Sequence, residues 1–118
     1  MDFKRQKAIY LQIADQLCER ILSQEWATDC RIPSVRETAV NLTVNPNTVM
    51  RTYEHLQNAG IIYNKRGLGF FVSPNAITQI KELMQKEFIE NDWPNIVKRA
   101  HMLEIDLEAL LRNEKSKS

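Results

Sequence analysis

The sequence lacks both a long apolar run and an apolar N-terminal segment. No stretch approaches the roughly 18 apolar residues that a membrane-spanning helix needs. The first residues, MDFKRQKAIYLQ, are polar where a signal peptide would be apolar. These two absences predict a cytoplasmic protein. With 118 residues, of which 43% are hydrophobic and 26% charged, the chain has the length and composition of one small globular domain, or of one domain with an appendage.

Cysteine and histidine are also scarce. Cys18 and Cys30 lie twelve positions apart without a C-x-x-C pair, a pattern that favours reduced thiols. His55 and His101 have no cysteine or carboxylate at a spacing suited to a metal. The sequence also shows no nucleophile with a positioned base, no paired carboxylates in a glycine-rich cleft and no phosphate loop. We therefore expect no enzyme, no metal site and no cofactor.

The chain has no large excess of charge of either sign. Its net charge is +1, which is below the basic balance of many nucleic-acid-binding proteins. Residues 1–75 hold nine Lys and Arg against seven Asp and Glu, whereas residues 76–118 hold seven against eight. Binding to nucleic acid would therefore require the positive side chains to be concentrated on one face.

Residues 8–24 have the periodicity of a helix. At 100° per residue one apolar arc collects five side chains, while Gln12, Asp15, Gln16 and Glu19 lie elsewhere. The arc consists of Tyr10, Ala14, Leu17, Cys18 and Ile21. Its position predicts that Cys18 is a small buried side chain rather than a reactive thiol.

Two further helices have clear end signals. Ser34 and Glu37 form an S-x-x-E capping box, in which each side chain accepts a backbone N–H of the first turn. Asn45 suits the N-cap of the next helix, and Pro46 suits its first position because the missing N–H would have no partner there. Gly60 marks the C-terminal end of that helix.

The helix between Asn45 and Gly60 has two different faces. One face groups Val49, Thr52, Tyr53 and Leu56. The opposite face groups Asn47, Arg51, Glu54 and Asn58, with Thr48 and His55 beside them. Only three residues separate this helix from the preceding one, which is a helix-turn-helix arrangement. The polar face is equally consistent with an ordinary solvated helix surface.

Two strand-like runs follow the third helix. IIY at 61–63 and FFV at 70–72 flank the turn NKRGLG. Gly67 and Gly69 allow a tight return, while Lys65 and Arg66 place two positive charges near the tip. A basic hairpin directly after a helix-turn-helix predicts a wing, and a simple solubilising turn is the alternative.

The remaining residues predict two helices. The first begins at Ser73-Pro74 and runs to about residue 90, and the second begins at Asp92 and Pro94. Apolar residues of the second recur at intervals of 4, 3, 4 and 3, which is a heptad-like seam. The candidate dimerisation residues are Ile77, Ile80, Met84, Phe88, Ile96, Ala100, Leu103, Leu107 and Leu110. We expect a DNA-binding domain over 1–73, a helical dimerisation tail over 74–112 and a flexible end over 113–118.

The segment PSVRETAVNLTVNPNTVMRTYEHLQNAGIIYNKRGLGFFV, residues 33–72, resembles the DNA-binding domain of GntR-type transcriptional regulators. The preceding IYLQIADQLCERI resembles the first helix of that family, and NPNTV-x-R-x-Y with a short tail is similar to its YtrA subfamily. The resemblance implies a mainly α fold with a small β-hairpin, a winged helix-turn-helix followed by a two-helix dimerisation tail. It also implies a bacterial repressor-like homodimer that binds a two-fold operator in double-stranded DNA.

The resemblance further implies which residues meet DNA. Arg36 and the wing would grip phosphates, and Asn47, Thr48 and Arg51 would enter the major groove. The whole candidate set is Ser34, Arg36, Asn45, Asn47, Thr48, Arg51, Tyr53, Lys65, Arg66, Gly67 and Gly69. The chain departs from the family pattern at four positions. Pro46 and Met50 stand where many relatives have arginine, Phe70 replaces a threonine, and Thr43 replaces a glycine.

One other interpretation of the same fold remains. A winged helix of the same fold can be a protein-interaction module that does not bind DNA, and charge placement together with a binding assay distinguishes the two. Relatives with long C-terminal domains bind small effectors there, whereas the short tail of this chain leaves little room for an enclosed effector pocket.

Overall fold

Six α-helices and one β-hairpin make up the part of the chain that the structure describes. The computed structural model describes residues 7–117 and divides into two units between Leu83 and Met84. The elements are α1 (Ile9–Leu22), α2 (Val35–Leu42), α3 (Pro46–Asn58), β1 (Ile62–Lys65), β2 (Gly69–Val72), α4 (Ala76–Glu87), α5 (Trp93–Met102) and α6 (Leu107–Lys117). The predicted mainly α fold with one antiparallel hairpin is confirmed. No helix within residues 7–117 is long and apolar enough to cross a membrane.

The starts of α2 and α3 are fixed by the predicted caps. Ser34 Oγ accepts the N–H of Glu37 at 3.1 Å, and Glu37 Oε1 accepts the N–H of Ser34 at 3.2 Å. Hydrogen bonding of the Glu37 carboxylate to the backbone N–H and then to the hydroxyl of Ser34 holds its pKa below the ordinary value. Asn45 Oδ1 accepts the N–H of Asn47 at 2.8 Å, and Pro46 occupies the first turn of α3. Local hydrogen bonding therefore fixes the boundaries of the helix-turn-helix.

The core of the first unit is centred on α3. Its buried residues Val49, Tyr53 and Leu56 have no solvent exposure. The facing side of α1 buries Ile13, Ala14, Leu17, Cys18 and Ile21. Four of these belong to the predicted apolar arc, and the burial of Cys18 is confirmed. Tyr10, the fifth predicted member of the arc, is only half-buried.

The turn between α2 and α3 contains an unfavourable backbone conformation. Thr43 ends α2 with φ 54° and ψ 50°, in the left-handed region. A residue with a Cβ pays about 1–2 kcal/mol there, whereas glycine enters this region freely. This conformation explains why the family pattern has a glycine at this position.

We expect Thr43→Gly to stabilise the protein by roughly 1 kcal/mol, because relief of this strain exceeds the entropy that glycine adds to the unfolded chain. Urea unfolding of the full chain measures the change. Thr28→Gly is the matched control, since Thr28 is exposed and is not among the residues with positive φ. Glycine should lower stability at position 28. Equal changes at the two positions would contradict the assignment of strain to Thr43.

The wing consists of β1, β2 and the turn between them, residues 62–72. Residues 29–32 lie along the free edge of β2, where Asp29 and Ile32 donate their N–H groups to the carbonyls of Val72 and Phe70 at 2.8 and 2.9 Å. The Phe70 ring meets the ring of Tyr53 edge-on, with centroids 5.0 Å apart. A phenylalanine in place of the usual threonine therefore extends the core into the base of the wing.

α4 and α5 are joined by a π-helical turn, Phe88–Asp92, rather than by a helix end. The N–H of Trp93 bonds to the carbonyl of Phe88, five residues back. Pro94 follows in the first turn of α5, where it has no N–H to donate and its ring crowds the preceding turn. The wider π turn accommodates this proline without breaking the helical path. The predicted helix end near residue 90 is therefore replaced by a continuous connection.

The predicted seam from Ile96 to Leu110 does not lie on one helix. α5 ends at Met102, and Glu104 has a left-handed φ of 56°. Asp106 then starts α6, with its Oδ1 accepting the N–H of Ala109 at 3.2 Å. The prediction of one helix with a heptad-like seam is wrong, because these two end signals fall between Leu103 and Leu107, the third and fourth residues of the seam. α6 continues to Lys117, through most of the segment expected to be flexible.

Two residues of the predicted dimerisation set are buried within the protomer. Ile80 has no exposed surface and Ala100 is 5% exposed, so neither side chain can meet a second copy. The structure corrects both assignments. Phe88, Leu103 and Leu110 are each about half exposed or more. The other four, Ile77, Met84, Ile96 and Leu107, are half-buried.

Candidate nucleic-acid interface

The outer face of α3 is the group Asn47, Arg51, Glu54 and Asn58. All four side chains are exposed, while the opposite face of the helix is buried. Thr48 and His55 lie half-buried at its borders. The two faces predicted from helical periodicity are therefore confirmed, and α3 presents amide, guanidinium and carboxylate groups to solvent.

Tyr53 belongs to the core rather than to the interface. Its side chain has no exposed surface, and its hydroxyl donates to the carbonyl of Pro33 at 2.6 Å. The same oxygen lies 2.8 Å from the Thr38 hydroxyl. Burial raises the pKa of the Tyr53 phenol. The structure corrects the assignment of Tyr53 to the DNA-binding set, since this residue ties α3 to α2 from the inside.

Ser34 and Asn45 are the N-caps of α2 and α3. The Ser34 hydroxyl accepts a backbone N–H in the capping box, and the Asn45 carbonyl oxygen accepts the N–H of Asn47. Each cap thus occupies one acceptor of its side chain. Donation from the Ser34 O–H or the Asn45 NH₂ to a phosphate remains compatible with these caps.

The predicted cationic residues are exposed and free of acidic partners within residues 7–117. Arg36 lies on α2, Arg51 on α3, Lys65 at the end of β1 and Arg66 in the wing turn. None of the four forms an ion pair in this part of the chain. Their charges are therefore available to an anionic partner.

The wing holds the Lys65 ammonium group against two aromatic rings. Lys65 Nζ lies 4.8 Å from the ring centroid of Phe71 and 5.8 Å from that of Tyr63. These two rings are stacked, with centroids 5.7 Å apart. The turn beyond Lys65 has left-handed glycines, with φ 81° at Gly67 and 113° at Gly69. The predicted tight return is confirmed.

Arg31 is a basic residue beside the wing that the sequence patterns did not reveal. It pairs with Phe71 through the backbone, and its side chain passes over Gly69. A Cβ added at Gly69 would lie 3.0 Å from Arg31 Nε, so any other residue there would push the Arg31 side chain away, in addition to the strain of the positive φ. Arg31 is exposed and thus adds a fifth cation to the wing and helix-turn-helix. No motif spacing indicates it, because the contact depends on the pairing of residues 29–32 with β2.

Both cysteines are free thiols, with Cys18 buried and Cys30 exposed. Residues 7–117 contain no group of three His, Cys, Asp or Glu side chains that could hold a metal ion.

The helices and hairpin that carry this surface match a known protein family. Residues 9–72, more than half of the chain, match the model of the bacterial regulatory proteins of the gntR family. The chain belongs to the GntR family. The match runs from α1 to β2 and includes the whole helix-turn-helix and wing.

Two GntR relatives from Bacillus subtilis (strain 168) extend the similarity over almost the whole chain. The "Uncharacterized HTH-type transcriptional regulator YhcF" is 36% identical over 116 residues, which are 97% of this chain and 93% of YhcF. The HTH-type transcriptional repressor YtrA is 34% identical over 110 residues, which are 93% of this chain and 84% of YtrA. The predicted YtrA-type subfamily is therefore confirmed.

Solved structures share the GntR fold. A GntR-family regulator from Bacteroides thetaiotaomicron is 42% identical, with a TM-score of 0.75 over 92% of this chain and 95% of that chain. AraR(DBD), solved in complex with operator ORR3, is 25% identical, with a TM-score of 0.52 over 54% of this chain and 77% of that chain. This GntR protein is a helix-turn-helix transcriptional regulator.

Proposed function

We propose that this regulator is a repressor that binds a two-fold-symmetric operator as a homodimer. In each protomer α3 enters the major groove, where Asn47, Thr48 and Arg51 contact base edges. Arg36 and the wing contact phosphates and fix the register of α3 on the duplex. The operator DNA of a bacterial regulator lies in the cytoplasm, and we place the protein there.

The observation that carries this proposal is the exposed outer face of α3 on a helix with a fixed start. The Asn47 amide can donate and accept together, which suits adenine, and the Arg51 guanidinium can donate twice, which suits guanine. Because the Asn45 cap sets where α3 begins, both side chains project from defined positions. The repressor role is supported by the similarity to YtrA, a transcriptional repressor.

The placement of charge favours DNA over a protein partner. α2, α3 and the wing each present at least one exposed cation without an acidic partner in the described residues. These are the three elements with which a winged helix meets the phosphates and the groove. Contacts with the DNA backbone use such isolated cations, because each one neutralises a phosphate and releases its counterion.

Dimer formation is supported by the apolar tail surface. We use this name for Phe88, Ile89, Trp93, Val97, Met102, Leu103, Ile105, Leu110 and Leu111, which are each at least 38% exposed. Only four other large hydrophobic residues of the described chain are comparably exposed. Large exposed apolar areas on a protomer mark interaction sites, and nine exposed apolar side chains within residues 88–111 favour such a site here. A second copy would cover them, at about 25 cal/mol per Å² of apolar area buried.

Neutralising a phosphate contact should weaken binding to all duplexes alike. Arg36→Gln, Lys65→Gln and Arg66→Gln each remove one contact per half-site. The slope of log K against log salt should therefore fall by about one per protomer, or about two per dimer. Fluorescence anisotropy at several salt concentrations measures this slope. Lys98→Gln, which removes an exposed charge from α5, is the control and should leave the slope unchanged. Unchanged slopes in all three test variants would exclude these phosphate contacts.

Selection of bound sequences from a random duplex library tests the function as a whole. We expect enrichment of a two-fold-symmetric motif with half-site centres about one helical turn, or a multiple of it, apart. Such a motif would establish sequence-specific binding and supply the operator for the other measurements. Absence of any enriched motif would contradict the proposed function and favour the protein-interaction module.

A further inference from the structure

Arg51, the central cation of the outer face of α3, does not project freely into solvent. Its Cζ lies over the ring of Tyr10, 4.1 Å from the ring centroid. Tyr10 is in the first turn of α1, and its ring is half-buried. A guanidinium this close to an aromatic face is held there by a cation–π interaction and by direct van der Waals contact.

The backbone that carries Tyr10 is fastened to α3 beside this contact. The Thr52 hydroxyl donates to the carbonyl of Tyr10 at 2.8 Å. Thr52 directly follows Arg51 and has no exposed surface. The ring of His55, one turn further along α3, meets the Tyr10 ring edge-on with centroids 6.0 Å apart. Tyr10 is thus held against α3 by its backbone and by a second ring, and it forms a fixed platform.

The Tyr10 ring contacts Arg51 on one side, and the N–H groups directed away from the ring stay free for acceptors. A planar guanidinium presents its N–H groups in its own plane, so a ring on one face does not compete with base or phosphate acceptors. Arg51 remains exposed in this arrangement. An arginine that is already ordered loses less conformational entropy when it binds, and it approaches the groove in one direction.

We propose that Tyr10 is a positioning residue for DNA reading, which holds Arg51 over α3 with its N–H edge directed at the bases before DNA arrives. The proposal rests on the proposed function, since it assumes that Arg51 contacts a base pair. It assigns α1, which is otherwise a core helix, a part in specificity. It also implies that reading at one base pair depends on a residue 41 positions away in the sequence.

The first test measures the chemical shift of the Arg51 Nε–H proton in the free protein and needs no DNA. An aromatic ring shifts the NMR signal of a proton above its face upfield. We therefore expect the Arg51 Nε–H resonance to lie upfield in the parent and in Tyr10→Phe, and to move to the ordinary arginine position in Tyr10→Leu. An Arg51 resonance that is already at the ordinary position in the parent would overturn the proposal, whether or not the protein binds DNA.

The second test uses the selected operator and a double-mutant cycle. Tyr10→Leu should weaken operator binding by roughly three- to ten-fold, while Tyr10→Phe should remain near the parent. The loss should fall on the base pair at which Arg51→Ala also loses preference. In the Arg51→Ala background Tyr10→Leu should have no further effect.

The possible outcomes separate this proposal from the function on which it rests. A parent that enriches no motif contradicts the proposed function. A parent that binds its motif while Tyr10→Leu binds equally well overturns the role of Tyr10. A loss that persists in the Arg51→Ala background, or that is equal for all duplexes, indicates a merely structural role and also overturns it. Thermal unfolding of each variant identifies loss of folding, and in that case the Tyr10→Phe and parent spectra still decide.

Discussion

A chain carrying both Ile89→Glu and Leu103→Glu should stay folded but lose dimer formation and most of its operator affinity. The two side chains are 65% and 63% exposed in the protomer, so carboxylates at these positions would be solvated in a monomer. In a dimer interface the same charges would be buried without partners, at a high cost. We expect affinity to fall by roughly 10²- to 10⁴-fold, because the second half-site would no longer be bound intramolecularly.

Light scattering would measure the molar mass of the free and DNA-bound protein, and fluorescence anisotropy the affinity. Gln85→Glu with Asn91→Glu is the matched control, since it adds the same two charges at exposed polar positions of the second unit. The control should remain dimeric and bind normally. A double Ile89/Leu103 variant that is still dimeric, or a parent that is monomeric on its operator, would refute the homodimer proposal.

Sequence reasoning located the helix-turn-helix because its boundaries depend on neighbouring residues. The capping box of Ser34 and Glu37 and the Asn45 cap are interactions within three residues, so the sequence contains all that is needed to form them. Gly60, with φ 75°, likewise ends α3 by its own backbone preference. The two faces of α3 followed from the helical period alone.

The tail was predicted less well because apolar spacing does not report a short interruption. Residues at intervals of 4 and 3 look the same on one long helix as on two helices with a four-residue connection. The break depends on the left-handed backbone of Glu104. Because this residue is not a glycine, its identity gives no sign of a helix end. Asp106 before Leu107 was an available signal, since aspartate is a favoured N-cap, and it does cap α6.

The interface itself was predicted in part. Exposure of the outer face of α3 and of Lys65 and Arg66 follows from pattern and turn position. The burial of Tyr53 was readable from its place on the apolar face, and the family motif alone suggested a DNA contact. The contacts of Arg51 with Tyr10 and of Arg31 with Gly69 join residues distant in sequence. Helical periodicity specifies which face a residue occupies, but packing between elements decides where a long side chain lies.

The second large effect is expected from variants of α3 that remove a base contact. Asn47→Ala and Arg51→Ala should each lose on the order of 1–3 kcal/mol of discrimination at particular base pairs, because a bidentate contact to one base is removed. Binding of operator variants with single base-pair changes would measure this loss for each position. Asn58→Ala is the matched control: it removes the same amide from the same exposed face, but at the C-terminal end of α3. Recognition helices read bases mainly with their N-terminal part, so this variant should keep the parental profile. If Asn47→Ala and Arg51→Ala also kept that profile, α3 would not be the element that reads the operator.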